Sequence, residues 1–383
     1  MASKVFYLPT RIVQGVGCLA QIGQMAANFG KRALLACGRK AMREAGILDR
    51  AAAELEKAGV APVVYDKVDG EPALSIIEEG LALARAERCE MTIGLGGGSA
   101  IDVAKAVAGL FHLPGRVAEY HAGRKLERPG IPFLAIPTTA GTGAEVSNNA
   151  VLTDPVRGIK TSIRSEEWYA RLALVDPELT LSVPPSITAS AGGDALCQAI
   201  EAYVSTAAMP ITDALCEDAI RRTGRSLVRA CEMGSDIAAR TDMLYGSLLA
   251  GMALANARLG AVHGMAHSLG YRYRIPHGVI CALLLPHVME YNMEYARPKY
   301  ARIADLLGLD IAALSEEEAA ECAITAVRGI VQRIHLLLRL SEFGVRCEEW
   351  PAIIAESISA SSTKFNPRPF QEEDVRAILE MAT

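Results

Sequence analysis

The chain changes its period near residue 184, and that change constrains the fold more than any other feature. Before it, short β-rich runs alternate with stretches whose apolar residues recur at helical spacing. The runs are RALLAC (32–37), PVVY (62–65), MTIGL (91–95), PFLAI (132–136) and LALVD (172–176), and the helical stretches lie at 41–57, 72–88 and 100–112. Such alternation predicts a mostly parallel sheet covered by helices. Weaker β runs at 3–7, 12–14, 150–153 and 159–163 read as edge strands or hairpins. After Pro184-Pro185 little reads as strand, and periodic stretches at 187–204, 211–230, 236–258, 278–294, 316–341 and 372–382 predict helices. The expected architecture is an α/β domain over 1–184 and an all-helical domain over 185–383, and 383 residues suffice for two cores.

Composition narrows the function classes. A net charge of −5 and 5% aromatic residues provide neither the basic footprint nor the stacking platforms of a nucleic-acid binder. The longest apolar candidate, 243–257, is interrupted by Tyr245, Gly246, Ser247 and Asn256, so no membrane span is expected. The N-terminal stretch MASKVFYLPTRIVQG lacks the apolar core of a signal peptide. Nine cysteines, an odd number with no C-x-x-C pair, lie mostly in apolar runs. They read as buried thiols of a soluble cytoplasmic protein.

In the first domain MTIGLGGGSAIDVAKAVAG (91–109) runs from a strand through Gly96, Gly97, Gly98 and Ser99 directly into a helix. Glycines let backbone N–H groups approach an anion, and the helix start adds unpaired N–H groups and the positive dipole end. The spacing is neither G-x-G-x-x-G nor Walker A. A second glycine- and threonine-rich loop, PTTAGTGAEVS (137–147), follows the next strand and offers Thr138, Thr139 and Thr142. Two such loops at neighbouring strand ends suit a dinucleotide. Asp102 reads as a prop for the first loop, while Lys160 either approaches the cofactor or faces solvent.

Histidine use is lopsided: His263, His267, His277 and His287 fall within 25 residues. His263 and His267 share a helix face. Upstream, Asp194, Gln198 and Glu201 share one face of an otherwise apolar helix. Imidazoles with one carboxylate can hold Fe²⁺ or Zn²⁺, whereas ordinary packed histidines are the plainer reading. No H-E-x-x-H supports peptidase chemistry.

These segments resemble the iron-containing (group III) alcohol dehydrogenase family through nearly the whole chain: GGGSAIDVAK (96–105), PTTAGTGAEVS (137–147), VDPELTLSVPP (175–185), GGDALCQAIEAYVS (192–205), HGMAHSLG (263–270), PHGVICALLLPHVMEYN (276–292) and NPRPF (366–370). The resemblance implies an NAD(P)-dependent alcohol dehydrogenase or aldehyde reductase, usually dimeric, with a Rossmann-like nucleotide domain and a helical metal- and substrate-binding domain. It implies Asp194, His263 and His277 as metal ligands and His267 as a catalytic group near the reacting centre. It further implies Gly97, Gly98, Ser99, Thr138, Thr139, Thr142, Lys160 and Leu179 as nucleotide contacts.

Two departures stand out. The family's remaining ligand, one turn after the aspartate, is usually histidine, but here it is Gln198, a poorer donor. The site is expected to use three protein ligands, with Gln198 weak or absent as a fourth. Secondly, NAD-preferring relatives commonly carry an aspartate after the first domain strand, where this chain has Gly38 beside Arg39 and Lys40. Lacking that carboxylate, the chain is expected to use NADP(H) at least comparably with NAD(H), unless both cations are merely solvated.

The implied reaction moves hydride between nicotinamide C4 and a carbinol or carbonyl carbon, so no cysteine is expected to act. Small primary alcohols, diols, semialdehydes and phosphonate- or sulfonate-bearing aldehydes all remain open as substrates, and Arg272 and Arg274 clamp an anion only if they leave the surface. Competing readings are a metal-independent enzyme resembling maleylacetate reductase, a non-redox lyase resembling dehydroquinate synthase, and a non-catalytic binding protein.

Overall fold

The computed structural model describes residues 3–383; residues 1 and 2, the start of the expected first domain, lie outside the described residues. The chain separates into two compact units. One comprises Leu8–Thr139 and Gly143–Ser182; the other comprises Val183–Thr383 with Ala140–Thr142 and the N-terminal segment up to Tyr7.

The first unit is a parallel sheet clad by helices. Its strands are β1 (Arg11–Gln14), β2 (Arg32–Gly38), β3 (Ala61–Val68), β4 (Met91–Gly96), β5 (Phe133–Pro137) and β8 (Leu172–Val175), in the order β1-β8-β5-β4-β2-β3. Every ladder in this sheet is parallel, and β6 (Asn149–Asp154) pairs with β7 (Ile159–Arg164) as a separate antiparallel hairpin. Its helices are α1 (Ile22–Ala26), α2 (Ala41–Glu44), α3 (Ile47–Lys57), α4 (Leu74–Ala86), α5 (Gly98–Leu110) and α6 (Val117–His121). Alternate β2 residues enter two cores: Leu34 and Ala36 pack with Ile77 and Leu81 of α4, Ala33 and Leu35 with Ile22 of α1 and Leu55 of α3. A strand buried on both faces explains why RALLAC reads as a continuous apolar run. β3 and β4 flank β2 on opposite sides, so the winding reverses there and opens a crevice at the carboxyl ends of β2 and β4.

The second unit contains α7 (Pro185–Val204), α8 (Pro210–Glu232), α9 (Ile237–Ala257), α10 (Ala261–Tyr273), α11 (His277–Leu306), α12 (Glu316–Arg333), α13 (Trp350–Ser359) and α14 (Glu372–Ala382). α7 packs against α8, α9 and α11, which buries it on nearly every side beyond Gly192. Among the described residues no helix is long and apolar enough to cross a membrane.

Several local expectations change. Residues 3–7 form no strand; the Tyr7 N–H donates to Asn256 Oδ1 at 2.7 Å instead of joining a sheet. The 41–57 stretch is two helices, because Gly46 takes φ +68 between them. The helix expected over 316–341 stops at Arg333. There His335 adopts φ +60, and the Leu336 N–H closes onto the Val331 carbonyl at 3.0 Å. Conversely α11 outruns 278–294 and continues to Leu306 through Pro286 and Pro298, each of which removes one ladder bond.

Candidate functional site

Three helices converge on one group of donors. Asp194 and Glu201 lie on α7, His263 on α10, and His277 and Cys281 one turn apart on α11. Asp194, His263, His277 and Cys281 can each offer an atom such that all four atoms lie within 4.8 Å of one another. His263 Nε2 is 3.2 Å from Asp194 Oδ1, and His277 Nε2 is 3.8 Å from the same oxygen. Cys281 Sγ sits 3.6 Å from His277 Nε2 and 3.8 Å from His263 Nε2.

The surroundings fix these atoms. His263 Nδ1 lies 2.6 Å from Glu201 Oε2, and Glu201 Oε1 accepts from the Val262 N–H at 2.7 Å. A carboxylate on Nδ1 sets the tautomer and offers the Nε2 lone pair to the cluster. Gln198 Nε2 donates to Asp194 Oδ2 at 3.0 Å, which leaves Oδ1 for the imidazoles. Glycine lets the helices meet: a Cβ at Gly278 would lie 2.0 Å from the Ser190 carbonyl oxygen of α7. The C-terminal NPRPF segment supports α10, since Asn366 Oδ1 accepts from the Ala261 N–H at 3.3 Å and from Asn292 Nδ2 at 3.0 Å.

A divalent cation fits this donor set. Two imidazoles, a carboxylate and a thiol all ligate borderline metals. In addition, the buried Gln198 Oε1 has no hydrogen-bond partner among the described residues. Desolvation opposes charge on both His263 and Cys281. Cys281, Asp194 and Glu201 nonetheless hold the imidazole well above its usual pKa, while Cys197 and the two imidazoles hold the Cys281 thiol well below its own. Buried groups polarised in this way cluster at functional sites.

His267 is half-buried on α10 and stacks on His277, with ring centroids 5.7 Å apart and 18° between planes. His287 does not join the cluster. Arg272 bonds the Glu356 carboxylate, and Arg274 is exposed.

In the sheet unit, Gly97 is the N-cap of α5, with Gly98 and Ser99 in its first turn and all three half-exposed. The neighbouring β5 end carries Thr138, whose N–H donates to the Gly96 carbonyl at 2.9 Å, and Thr139, whose Oγ1 would lie 3.2 Å from a Cβ on Gly97. The two loops are therefore adjacent. Thr142 is exposed and belongs to the helical unit. Asp102 accepts from the Val151 N–H at 2.9 Å, and fully buried Lys105 donates to the Ala144 and Asn149 carbonyls at 2.8 Å each. These two residues tie α5 to the second loop and the hairpin. Lys160 is largely buried and paired with Glu71, while Leu179 is wholly buried in the apolar layer beneath the sheet. Gly38 ends β2; Arg39 and Lys40 are exposed, and Arg39 lies 3.5 Å from Asp69.

Sequence reading singled out Asp194, His263 and His277 but passed over Cys281. Its available signal was the four-residue spacing after His277. Glu201 was noted by its face but given no role.

Comparison with known proteins agrees with this geometry. Residues 9–177 match the family model "Iron-containing alcohol dehydrogenase", and 188–383 match "Fe-containing alcohol dehydrogenase family, C-terminal". The chain is 38% identical over 371 residues to 1,3-propanediol dehydrogenase of Klebsiella pneumoniae, covering 96% of each chain. It is 33% identical to the NAD-dependent methanol dehydrogenase of Bacillus methanolicus, covering 98% of this chain and 99% of that one. A crystal structure of 1,3-propanediol oxidoreductase superposes with a TM-score of 0.96 at 37% identity, covering 100% of both chains.

Proposed function

The chain belongs to the iron-containing alcohol dehydrogenase family and is an NAD(P)-dependent, metal-dependent oxidoreductase of small alcohols or aldehydes, and from that premise we propose how its residues divide the work. Asp194, His263 and His277 hold the divalent cation. Gln198 acts chiefly by orienting the Asp194 carboxylate. Gly97, Gly98, Ser99, Thr138 and Thr139 form the nucleotide seat of the sheet unit, and Thr142, Lys160 and Leu179 are assigned to nucleotide binding on the family resemblance alone. When bound, the cation supplies Lewis-acid polarisation of the substrate oxygen, and the nicotinamide gives or takes the hydride. His267 carries the proton between that oxygen and solvent; its half-exposure and its stacking on His277 support this role. Glu201 keeps His263 in its ligating tautomer.

The observation that carries the reading is the convergence of Asp194 Oδ1 with the Nε2 atoms of His263 and His277 in front of Glu201. A small uncharged primary alcohol, a diol or the matching aldehyde is the proposed substrate. The activities for which the relatives are named support that class, and Arg272 is already engaged by Glu356. NADP(H) is proposed to serve at least as well as NAD(H). Gly38 presents no carboxylate, and an exposed pair such as Arg39–Asp69 is worth only about 0–1 kcal/mol, which leaves Arg39 available to a 2′-phosphate. A cytoplasmic homodimer is the setting that the family resemblance implies.

The deciding experiment combines elemental analysis of chelator-free protein with NADPH and NADH oxidation by 3-hydroxypropionaldehyde. We expect a stoichiometric divalent metal, net cofactor oxidation and comparable kcat/KM for the two cofactors; His263→Ala and His277→Ala each lose metal and activity. Full activity without metal would overturn the ligand assignment. Substrate turnover without net cofactor oxidation would favour the lyase. A preference for NADH of about a hundredfold, worth about 2.7 kcal/mol, would overturn the cofactor proposal.

A further inference from the structure

Cys281 occupies a position that the dehydrogenase chemistry does not require, and its sulfur faces the same point as the ligand atoms of Asp194, His263 and His277. We propose that the Cys281 thiolate is the fourth protein ligand of the metal, replacing the imidazole that is missing at Gln198. The inference rests on the reading that Asp194, His263 and His277 bind a divalent cation.

The distances carry it. A tetrahedral ion with metal–sulfur bonds of about 2.3 Å and metal–nitrogen or –oxygen bonds of about 2.0–2.1 Å places sulfur about 3.6 Å from each nitrogen and the lighter donors about 3.3 Å apart. Cys281 Sγ lies 3.6 and 3.8 Å from the two Nε2 atoms, and Asp194 Oδ1 lies 3.2 and 3.8 Å from the same two. Hydrogen bonds through the sulfur, which donates its own proton and accepts from an imidazole N–H, keep the donors at these distances in the absence of an ion. A cation at their centre would satisfy all four donors and would take the substrate oxygen by expanding to five-coordinate. The competing fourth ligand is the Gln198 amide oxygen, which is buried without a partner while the amide nitrogen donates to Asp194 Oδ2 at 3.0 Å; a neutral amide oxygen is a weaker donor to a borderline ion than a thiolate. Helical spacing makes the replacement direct: Gln198 stands one turn after Asp194 on α7, and Cys281 one turn after His277 on α11. As the sulfur–metal bond forms, the thiol proton passes to solvent, with no change in oxidation state. A thiolate in the set also moves selectivity toward Zn²⁺, because softer donors favour it over a metal suited to nitrogen and oxygen alone.

The test is a Co²⁺ titration of the chelated full-length protein, read by absorbance. Wild type should show visible d–d bands together with a near-ultraviolet sulfur-to-cobalt charge-transfer band. In Cys281→Ser the charge-transfer band should vanish and affinity should fall about a hundredfold, while d–d bands persist at higher Co²⁺. Gln198→His on that background should recover affinity without the band. Cys197→Ser controls for the neighbouring thiol and should keep the band. X-ray absorption of Zn²⁺-loaded wild type, which needs no variant, should show one sulfur at about 2.3 Å. Wild-type d–d bands without charge transfer, or a band that follows Cys197 rather than Cys281, would overturn the proposal while leaving a metal site in place. Absence of Co²⁺ and Zn²⁺ binding altogether would instead overturn the three-ligand reading beneath it.

Discussion

Glu201 governs which nitrogen His263 offers the cluster. Its Oε2 stands 2.6 Å from Nδ1, and its Oε1 is anchored by the Val262 N–H. A carboxylate behind a ligating histidine typically accounts for a 10–100-fold change in metal affinity. Glu201→Gln should therefore weaken binding by about tenfold and Glu201→Ala by more, measured by competition against a chromogenic chelator. Equal affinity in both variants would mean that Glu201 is only a packing partner. At this scale the sequence was most informative where chemistry is concentrated: a run rich in histidine, and polar residues sharing one face of an apolar helix. It was least informative for Cys281. Within VICALLLP a cysteine has the composition of a core residue, and only the approach of α11 to α7 and α10 turns its sulfur toward the imidazoles.

The elements meet because their surfaces are trimmed to allow it. Gly278 follows His277 directly, and a Cβ there would fall 2.0 Å from the Ser190 carbonyl, well inside contact distance. Gly278→Ala should push the start of α11 away from α7 and move His277 from Asp194. Far-UV circular dichroism should change little, because alanine favours a helix over glycine by about 1 kcal/mol. Metal affinity should fall by at least about tenfold, since metal–ligand distances tolerate shifts of only about 0.2 Å. Unchanged affinity would show that α11 is free to slide. Helix ends were the least legible elements for the same physical reason. Gly46 and His335 end helices through left-handed backbone, which apolar periodicity does not register, whereas Pro286 and Pro298 look like stops and are carried within α11. The strands at 32–37 and 91–95 were plain because a strand covered on both faces must be apolar throughout.

In the whole molecule the donor cluster and the glycine turn before α5 lie in different units. Asp194, His263, His277 and Cys281 all come from the helical unit, whereas Gly97, Gly98, Ser99, Thr138 and Thr139 come from the sheet unit. The helical unit, from Val183 on, also takes in Ala140–Thr142 and the N-terminal segment up to Tyr7, which no change of period registers. Those short pieces have no periodicity of their own and are recruited by contacts distant in sequence, as in the Tyr7 bond to Asn256. A ligand stabilises the conformations that bind it, and at about a thousand times its dissociation constant the gain is about 4 kcal/mol. Amides that exchange only by opening of the ligated unit should then slow by up to about a thousandfold. Hydrogen exchange with mass spectrometry should accordingly show Zn²⁺ protecting α7, α10 and the start of α11. NADPH should protect the segment from Gly96 into α5 and the turn after β5. If Zn²⁺ instead slowed exchange in β2 and β4 while leaving α7 and α10 unchanged, the donors would not be those of the helical cluster, whatever the enzyme's activity.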